Sequence, residues 1–203
     1  MKRYLTVILS LALVAFGSPA FSGQPPAELV RDTSTQMMTR IRQESPVIEQ
    51  APERLYELVS EIVLPHFDFE NMGRWILGKY WRHATPAQRN QFVSEFRSLL
   101  VRKYGNALVE YADEEIVYLP SSMEANDTRV TVDTKINPAN GVPVHIAYRL
   151  YQTDNGWKVY DVSIEGISLV TNYRTSFTSK IRQDGLEQLI RQLALINKEA
   201  GTT

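Results

Sequence analysis

The sequence predicts an α+β protein in which about six helices are arranged around an antiparallel sheet of about four strands. Hydrophobic residues recur with a helical period from about residue 26 to 111. The period then changes to two, which is typical of strands, over about 113–164. A helical period returns over 167–197, so helical segments flank one sheet.

The first 22 residues have the pattern of a secretory signal peptide. Lys2 and Arg3 precede an apolar run over 5–16, and small residues follow at a cleavage-site pattern that ends at Ser22. The alternative of a membrane anchor is disfavoured because a spanning helix needs ~20 apolar residues. We therefore expect cleavage after Ser22 and export of the mature chain.

The composition of the mature chain narrows the classes of function. Removing Lys2 and Arg3 from the 22 basic side chains leaves 20 against 23 acidic ones, a net charge of −3. This balance argues against nucleic-acid binding, which favours a basic surface. The chain has no cysteine, which excludes disulfides, thiolate metal sites, thiol nucleophiles and a lipid anchor. We expect one domain over 23–197, with helices in 26–111, a sheet in 113–164, closing helices in 167–197, and a frayed tail over 198–203.

Three helices are predicted before residue 81. The first covers 26–44 and should end before Pro46, because the residue that precedes a proline disfavours the helical conformation. The second begins at Pro52, a favourable first-turn residue, and ends at Pro65. Asp68 is the expected cap of a short third helix.

The strongest local signal belongs to the fourth helix. Thr85, Pro86 and Gln88 have the spacing of a capping box with proline in the first turn. The helix should run to about Tyr111, with aromatic and aliphatic side chains along one stripe.

Four strands follow, at 116–119, 129–136, 144–152 and 157–164. The pairs Asn140-Gly141 and Asn155-Gly156 are typical of hairpin turns and indicate an antiparallel meander. On the third strand one face carries the larger apolar side chains, namely Val144, Ile146, Tyr148 and Leu150. Two closing helices are predicted after the sheet. One follows Gly166 and has Ser168 near its cap, and the other begins at Asp184.

Residue patterns for catalysis are largely missing. His66, His83 and His145 lie in different elements without the spacing of a zinc site. The serine-hydrolase pattern G-x-S-x-G does not occur. Tyr160 and Asp161 could serve proton transfer in a pocket enzyme, but adjacent strand residues project to opposite faces.

Several segments together resemble the MlaC family, also called the toluene-tolerance auxiliary proteins. They are Leu-Pro-His-Phe at 64–67, Leu-Gly-Lys-Tyr-Trp at 77–81, Ala-Thr-Pro-Ala-Gln-Arg at 84–89, Tyr-Gly-Asn-Ala-Leu at 104–108, the block 157–169, and Asp-Gly-Leu at 184–186. The order and spacing hold from about residue 28 to 193.

The resemblance implies a periplasmic phospholipid-binding protein in which a twisted antiparallel sheet, wrapped by helices, encloses an apolar cavity. The implied cargo is phospholipid, without a cofactor, a metal or catalysis. The implied partners are an outer-membrane lipoprotein complex and an inner-membrane ABC transporter with an MCE-domain subunit, and the simplest carrier between them is a monomer. The implied role is to maintain outer-membrane lipid asymmetry.

On this basis we expect a cavity wall from the apolar sheet face, the long helix and the helices that cover them. The expected wall residues are Trp75, Tyr104, Leu108, Val130, Val132, Ile146, Tyr148, Leu150, Val162, Ile164, Ile167, Tyr173 and Phe177. A charged headgroup favours cationic neighbours, and the candidates at the rim are Arg102, Lys103, Arg149 and Arg174.

Two alternatives remain open from sequence. A small-molecule enzyme on a cone-shaped fold would need a buried carboxylate that faces the cavity. A lipid-free adaptor of the cell envelope would have a filled core. Sequence does not separate a packed core from a lined cavity, because both use the same residue types.

Overall fold

The computed structural model describes residues 23–199 apart from 121, 122, 125 and 140. The predicted signal peptide and positions 200–203 of the predicted tail therefore lie outside the described residues. The same is true of Asn140 in the predicted Asn140-Gly141 turn. The helices are α1 (Pro26–Gln50), α2 (Glu53–Leu58), α3 (Phe69–Leu77), α4 (Lys79–His83), α5 (Pro86–Glu110), α6 (Leu169–Asp184) and α7 (Leu186–Glu199). The strands are β1 (Glu115–Tyr118), β2 (Arg129–Asn137), β3 (Val144–Thr153), β4 (Gly156–Ile164) and β5 (Ile167–Ser168).

The predicted α+β class is confirmed. Over the described residues the protein has seven α-helices and one antiparallel sheet with the strand order β1-β2-β3-β4-β5. The additional elements are short: α4 and β5 have five and two residues. Helix α2 continues as a π-helical segment (Val59–Val63) and a 3-10 turn (Leu64–His66).

Helix α1 continues past the proline at which we expected it to end. Pro46 lies inside the helix, where it has no N–H to donate. The turns around it are held by contacts with α2: Ile48 is buried in the same apolar cluster as Leu55, and the Nε of Arg54 donates to Glu44 over 2.6 Å. Packing between the two helices therefore outweighs the local preference of proline.

Gly78 divides the predicted third helix into α3 and α4. Its φ of +53° lies in a region that L side chains rarely adopt, so the chain turns there instead of continuing the helix. The predicted cap at the start of α3 is confirmed, because the Asp68 carboxylate accepts a hydrogen bond from the backbone N–H of Asn71 at 2.9 Å.

The predicted capping box of α5 is confirmed in both directions. The N–H of Gln88 donates to the Thr85 hydroxyl over 3.2 Å, and the Gln88 side-chain oxygen accepts from the Thr85 N–H at 3.0 Å. Both bonds satisfy donors that a helix N-terminus otherwise leaves unpaired.

Thr85→Ala is expected to lower the free energy of unfolding by about 1 kcal/mol, because it removes one of these two bonds. The measurement is chemical denaturation followed by far-UV circular dichroism. Thr35→Ala, at an exposed position within α1, is the matched control and should change stability by a few tenths of a kcal/mol at most. Equal losses for both variants would contradict a capping role.

A β-bulge in β4 allows its apolar side chains to stay on one face of the sheet. Arg149 pairs with Asp161, but the next residue, Leu150, pairs with Val159, so Tyr160 is the extra residue. Strict alternation would place Val159 and Val162 on opposite faces. The bulge brings Val162 opposite Tyr148 and keeps both valines on the inner face.

Within the described part of the chain, buried apolar residues form two clusters. The larger one joins the inner face of the sheet to α3, α5, α6 and α7. The smaller one joins α1 to α2 and the π-helical segment that follows.

The closing helices are anchored at their ends. Ser168 caps α6, as predicted, by accepting from the N–H of Thr171 over 3.1 Å. The expectation for Asp184 is wrong, because this residue ends α6, where it pairs with Lys180 at 2.8 Å, and α7 starts after it. Near the end of α7, the amide nitrogen of Asn197 donates to the Glu95 carboxylate on α5 over 2.7 Å.

Candidate functional site

An apolar cavity lies between the inner face of the sheet and the helices α1 and α5. It has a larger compartment of about 260 Å³ and a smaller compartment of about 120 Å³. The two compartments share wall residues from four parts of the fold, and these shared residues are Met38, Val63, Phe67, Leu108, Ile136, Ile146 and Tyr148. They are therefore neighbouring parts of one site.

The wall of the larger compartment is almost entirely hydrocarbon. No Asp, Glu, Lys or Arg occurs among the described residues that line either compartment. Such a wall offers apolar contact and few hydrogen bonds, which suits an acyl chain and not a polar metabolite. The wall of the larger compartment that is not shared with the smaller one consists of Val59, Leu64, Phe69, Leu100, Val101, Tyr104, Gly105, Ala107, Tyr111, Val144, Val162, Ile164 and Leu169.

The inner face of the sheet is packed at one end and open to the cavity at the other. Val132 and Leu150 are 1% and 0% exposed and belong to the filled core. Ile146 and Tyr148, on the same face of β3, are only partly buried and line both compartments. This difference distinguishes a lined cavity from a filled core, which the sequence could not do.

Six of the thirteen predicted wall residues line the cavity. They come from α5, β3 and β4, and are Tyr104, Leu108, Ile146, Tyr148, Val162 and Ile164. Their contact with a ligand stays a prediction.

The other seven lie outside the wall. Trp75 and Ile167 are at the surface, with 48% and 61% exposure. On α3, Met72 and Ile76 take the buried face, which turns Trp75 outward. Tyr173 and Phe177 fill the aromatic core instead. The remaining three, Val130, Val132 and Leu150, pack in or against the main apolar cluster.

The prediction missed α1 and the segment that follows α2. Leu29, Val30 and Met38 of α1 line the cavity, as do Val63 and Phe67. The only signal in the sequence was the weak apolar stripe of α1 and the Leu-Pro-His-Phe segment at 64–67. Neither indicates whether a side chain packs against a neighbour or faces an empty space.

None of the four predicted rim cations is among the described residues that line the cavity, but Lys103 lies near one of them. Its Nζ lies 5.7 Å from the ring centroid of Tyr104, which lines the larger compartment. Arg102 packs over the Tyr56 ring instead, at 5.3 Å.

The other two cations lie away from the cavity. Arg149 projects from the opposite face of the sheet, where its Nη1 lies 3.5 Å from the Asp161 carboxylate. Arg174 is exposed on α6, beside Gly78.

Two titratable side chains of the wall have pKa shifts that favour their neutral forms. Burial raises the pKa of Tyr148 to about 12, so its hydroxyl stays protonated. Burial, with a smaller effect of the Lys158 charge, lowers the pKa of His66. Both shifts have the direction expected for groups that are partly removed from water.

Tyr160 and Asp161, the residues considered for proton transfer, line neither compartment of the cavity. Asp161 is 3% exposed, but it lies outside both compartments. Its carboxylate accepts from the Ser168 hydroxyl at 2.6 Å and from the backbone N–H of Val170 at 3.1 Å. These bonds make Asp161 a link between β4 and the start of α6.

Metal-binding clusters and membrane-spanning helices are both absent from 23–199, the four gaps apart. No group of three or more His, Cys, Asp or Glu side chains there could hold a metal ion. No helix in that part of the chain is both long and apolar enough to cross a membrane.

Comparisons with known proteins agree on one family. The chain is 28% identical over 186 residues to the toluene tolerance protein ttg2D of Pseudomonas putida, which covers 91% of this chain and 84% of the relative. It is 27% identical to the intermembrane phospholipid transport system binding protein MlaC of Haemophilus influenzae, covering 95% and 92% of the two chains.

A solved structure has the same fold. The phospholipid-binding protein from Ralstonia solanacearum, determined in complex with a phospholipid, superposes with a TM-score of 0.81 at 30% identity. The match covers 88% of this chain and 99% of that one. The sequence model of the MlaC protein family matches residues 31–195. The chain therefore belongs to the MlaC family.

Proposed function

We propose that this protein is a periplasmic phospholipid carrier that buries acyl chains in its cavity and releases them at membrane transport complexes. The observation that carries the proposal is the uncharged apolar cavity, in a fold shared with a protein that was solved with bound phospholipid. The name of the Haemophilus relative, a binding protein of an intermembrane phospholipid transport system, supports the transport role.

The chemistry of the cavity matches the energetic problem of moving lipid through water. Two acyl chains with ~30 methylenes represent on the order of 25 kcal/mol of hydrophobic free energy, at ~0.8 kcal/mol per methylene. One or two hydrogen bonds of ~1 kcal/mol each cannot replace that burial. A carrier therefore needs apolar surface in quantity, and it needs no catalytic group.

The cellular setting belongs to the same proposal. The signal-peptide pattern of residues 1–22 supports export. Membership of the family supports docking to an outer-membrane lipoprotein complex and to an inner-membrane ABC transporter with an MCE-domain subunit. A carrier that alternates between two membranes is most simply a monomer.

Native mass spectrometry of the protein, expressed with its own leader and purified from the periplasm, tests the carrier function. We expect phospholipid in near-stoichiometric amount, identified after extraction with organic solvent. A folded protein that remains empty, even after incubation with phospholipid vesicles, would contradict the proposal and favour the adaptor.

A further inference from the structure

The wall of the smaller compartment has a polar end. Among its lining residues are Thr33 and Ser34 of α1 and His66, the last residue of the 3-10 turn. The two-residue link between α1 and α2 makes the two segments antiparallel. Thr33 and Ser34 are 18 and 17 residues before that link and His66 is 14 residues after it. All three line the same smaller compartment.

The polar atoms of these three side chains are unused. Among the described residues, no hydrogen bond to the Thr33 or Ser34 hydroxyl or to the His66 imidazole is formed. A helical Ser or Thr commonly donates to a carbonyl four residues earlier, as Ser60 does to Tyr56 over 2.8 Å. By contrast, Thr134, also in this wall, already donates to the Ile146 carbonyl over 3.1 Å.

The two hydroxyls and the imidazole can donate hydrogen bonds and carry no charge. Burial and the nearby Lys158 lower the pKa of His66, so the imidazole is neutral at neutral pH. Lys158 itself donates to the Pro65 carbonyl. A neutral imidazole and two hydroxyls favour an uncharged oxygen acceptor, whereas an anionic phosphate favours a cation.

We propose that Thr33, Ser34 and His66 form a subsite for the ester carbonyl that joins an acyl chain to glycerol in a bound phospholipid. The inference rests on the carrier function and names the part of the lipid that this end of the cavity holds. Ester carbonyls lie where the hydrocarbon of a glycerolipid meets its polar end. They therefore match a wall that is mostly apolar and carries polar side chains at one end.

A comparison of ester-linked with ether-linked phosphatidylcholine of equal chain length tests the inference. The ether lipid lacks the carbonyl oxygens and is otherwise the same size. In competition for the delipidated full-length mature protein, read by mass spectrometry, we expect the wild type to prefer the ester lipid by about tenfold. Each hydrogen bond lost should reduce the preference by roughly two- to tenfold.

Variants of Thr33, Ser34 and His66 test whether these residues cause the preference for the ester lipid. Combining Thr33→Val, Ser34→Ala and His66→Phe should bring the preference close to one while the ether lipid is still bound. Thr35→Val with His83→Phe, both at exposed positions, is the matched control and should keep the wild-type preference. If the triple variant does not fold, the near-isosteric Thr33→Val alone should lower the preference by at least twofold.

The outcomes separate this inference from the carrier function. A wild type that binds both lipids equally, or a preference unchanged in Thr33→Val and in the triple variant, would overturn the subsite and leave the carrier intact. A wild type that retains neither lipid would contradict the carrier function itself.

Discussion

Replacing Ile146 by aspartate is expected to abolish phospholipid retention in a protein that still folds. Ile146 contributes to the wall of both compartments and lies on the inner face of β3, opposite Thr134 and Ile164. A carboxylate here would lie against the acyl chains, and desolvating it costs several kcal/mol. We expect the amount of co-purified lipid to fall by at least tenfold, measured by extraction and mass spectrometry.

The matched control is Ile167→Asp. Ile167 belongs to the same sheet and was predicted from sequence as a wall residue, but it is 61% exposed and outside the cavity wall. This variant should keep its lipid. If both variants keep their lipid, or both lose it, this cavity does not hold the acyl chains.

The lipid loss in Ile146→Asp should depend on pH. Apolar surroundings raise the pKa of a carboxyl group because they disfavour the charged form. Lipid binding should therefore recover partly as the pH falls through that raised pKa and the group becomes neutral. Ile146→Asn, which has a polar side chain of similar size without a titrating group, should show a loss that does not change with pH.

The parts of the fold that local chemistry specifies could be predicted from sequence. The capping box at Thr85 and Gln88 depends on residues three apart, and it forms as expected. Pro46 shows the opposite case: its local preference is to end a helix, but contacts with α2 keep it inside α1. Such contacts depend on α2 folding back against α1, which the local preference of proline does not indicate.

The candidate site divides in the same way. Alternation along β3 predicted that Ile146 and Tyr148 share a face, and both line the cavity. Alternation does not indicate how far along the strand the cavity extends. Leu150 was therefore predicted as a wall residue, although it is fully buried in the core. The polar end at Thr33 and His66 was missed because it forms only when the two arms of a helical hairpin meet.

The Asp161→Ala substitution is expected to lower the free energy of unfolding by about 3 kcal/mol, although it should leave lipid binding by the folded protein unchanged. The buried carboxylate accepts from the Ser168 hydroxyl and from the Val170 N–H, and it pairs with Arg149. Hydrogen bonds to a charged group contribute ~1.5–3 kcal/mol each. For a chain of this size the midpoint of thermal unfolding should fall by roughly 6–12 °C.

The control for this second substitution is Asp133→Ala. Asp133 lies on the same outer face of the sheet, 35% exposed, and its carboxylate is 3.0 Å from the Nε2 of His145. An exposed pair of this kind contributes ~0–1 kcal/mol, so its removal should shift the midpoint by a few degrees at most. The difference between the variants measures the link from β4 to α6. If Asp161→Ala unfolded at the wild-type temperature, the carboxylate would have no structural role, and proton transfer by Asp161 would again need to be considered.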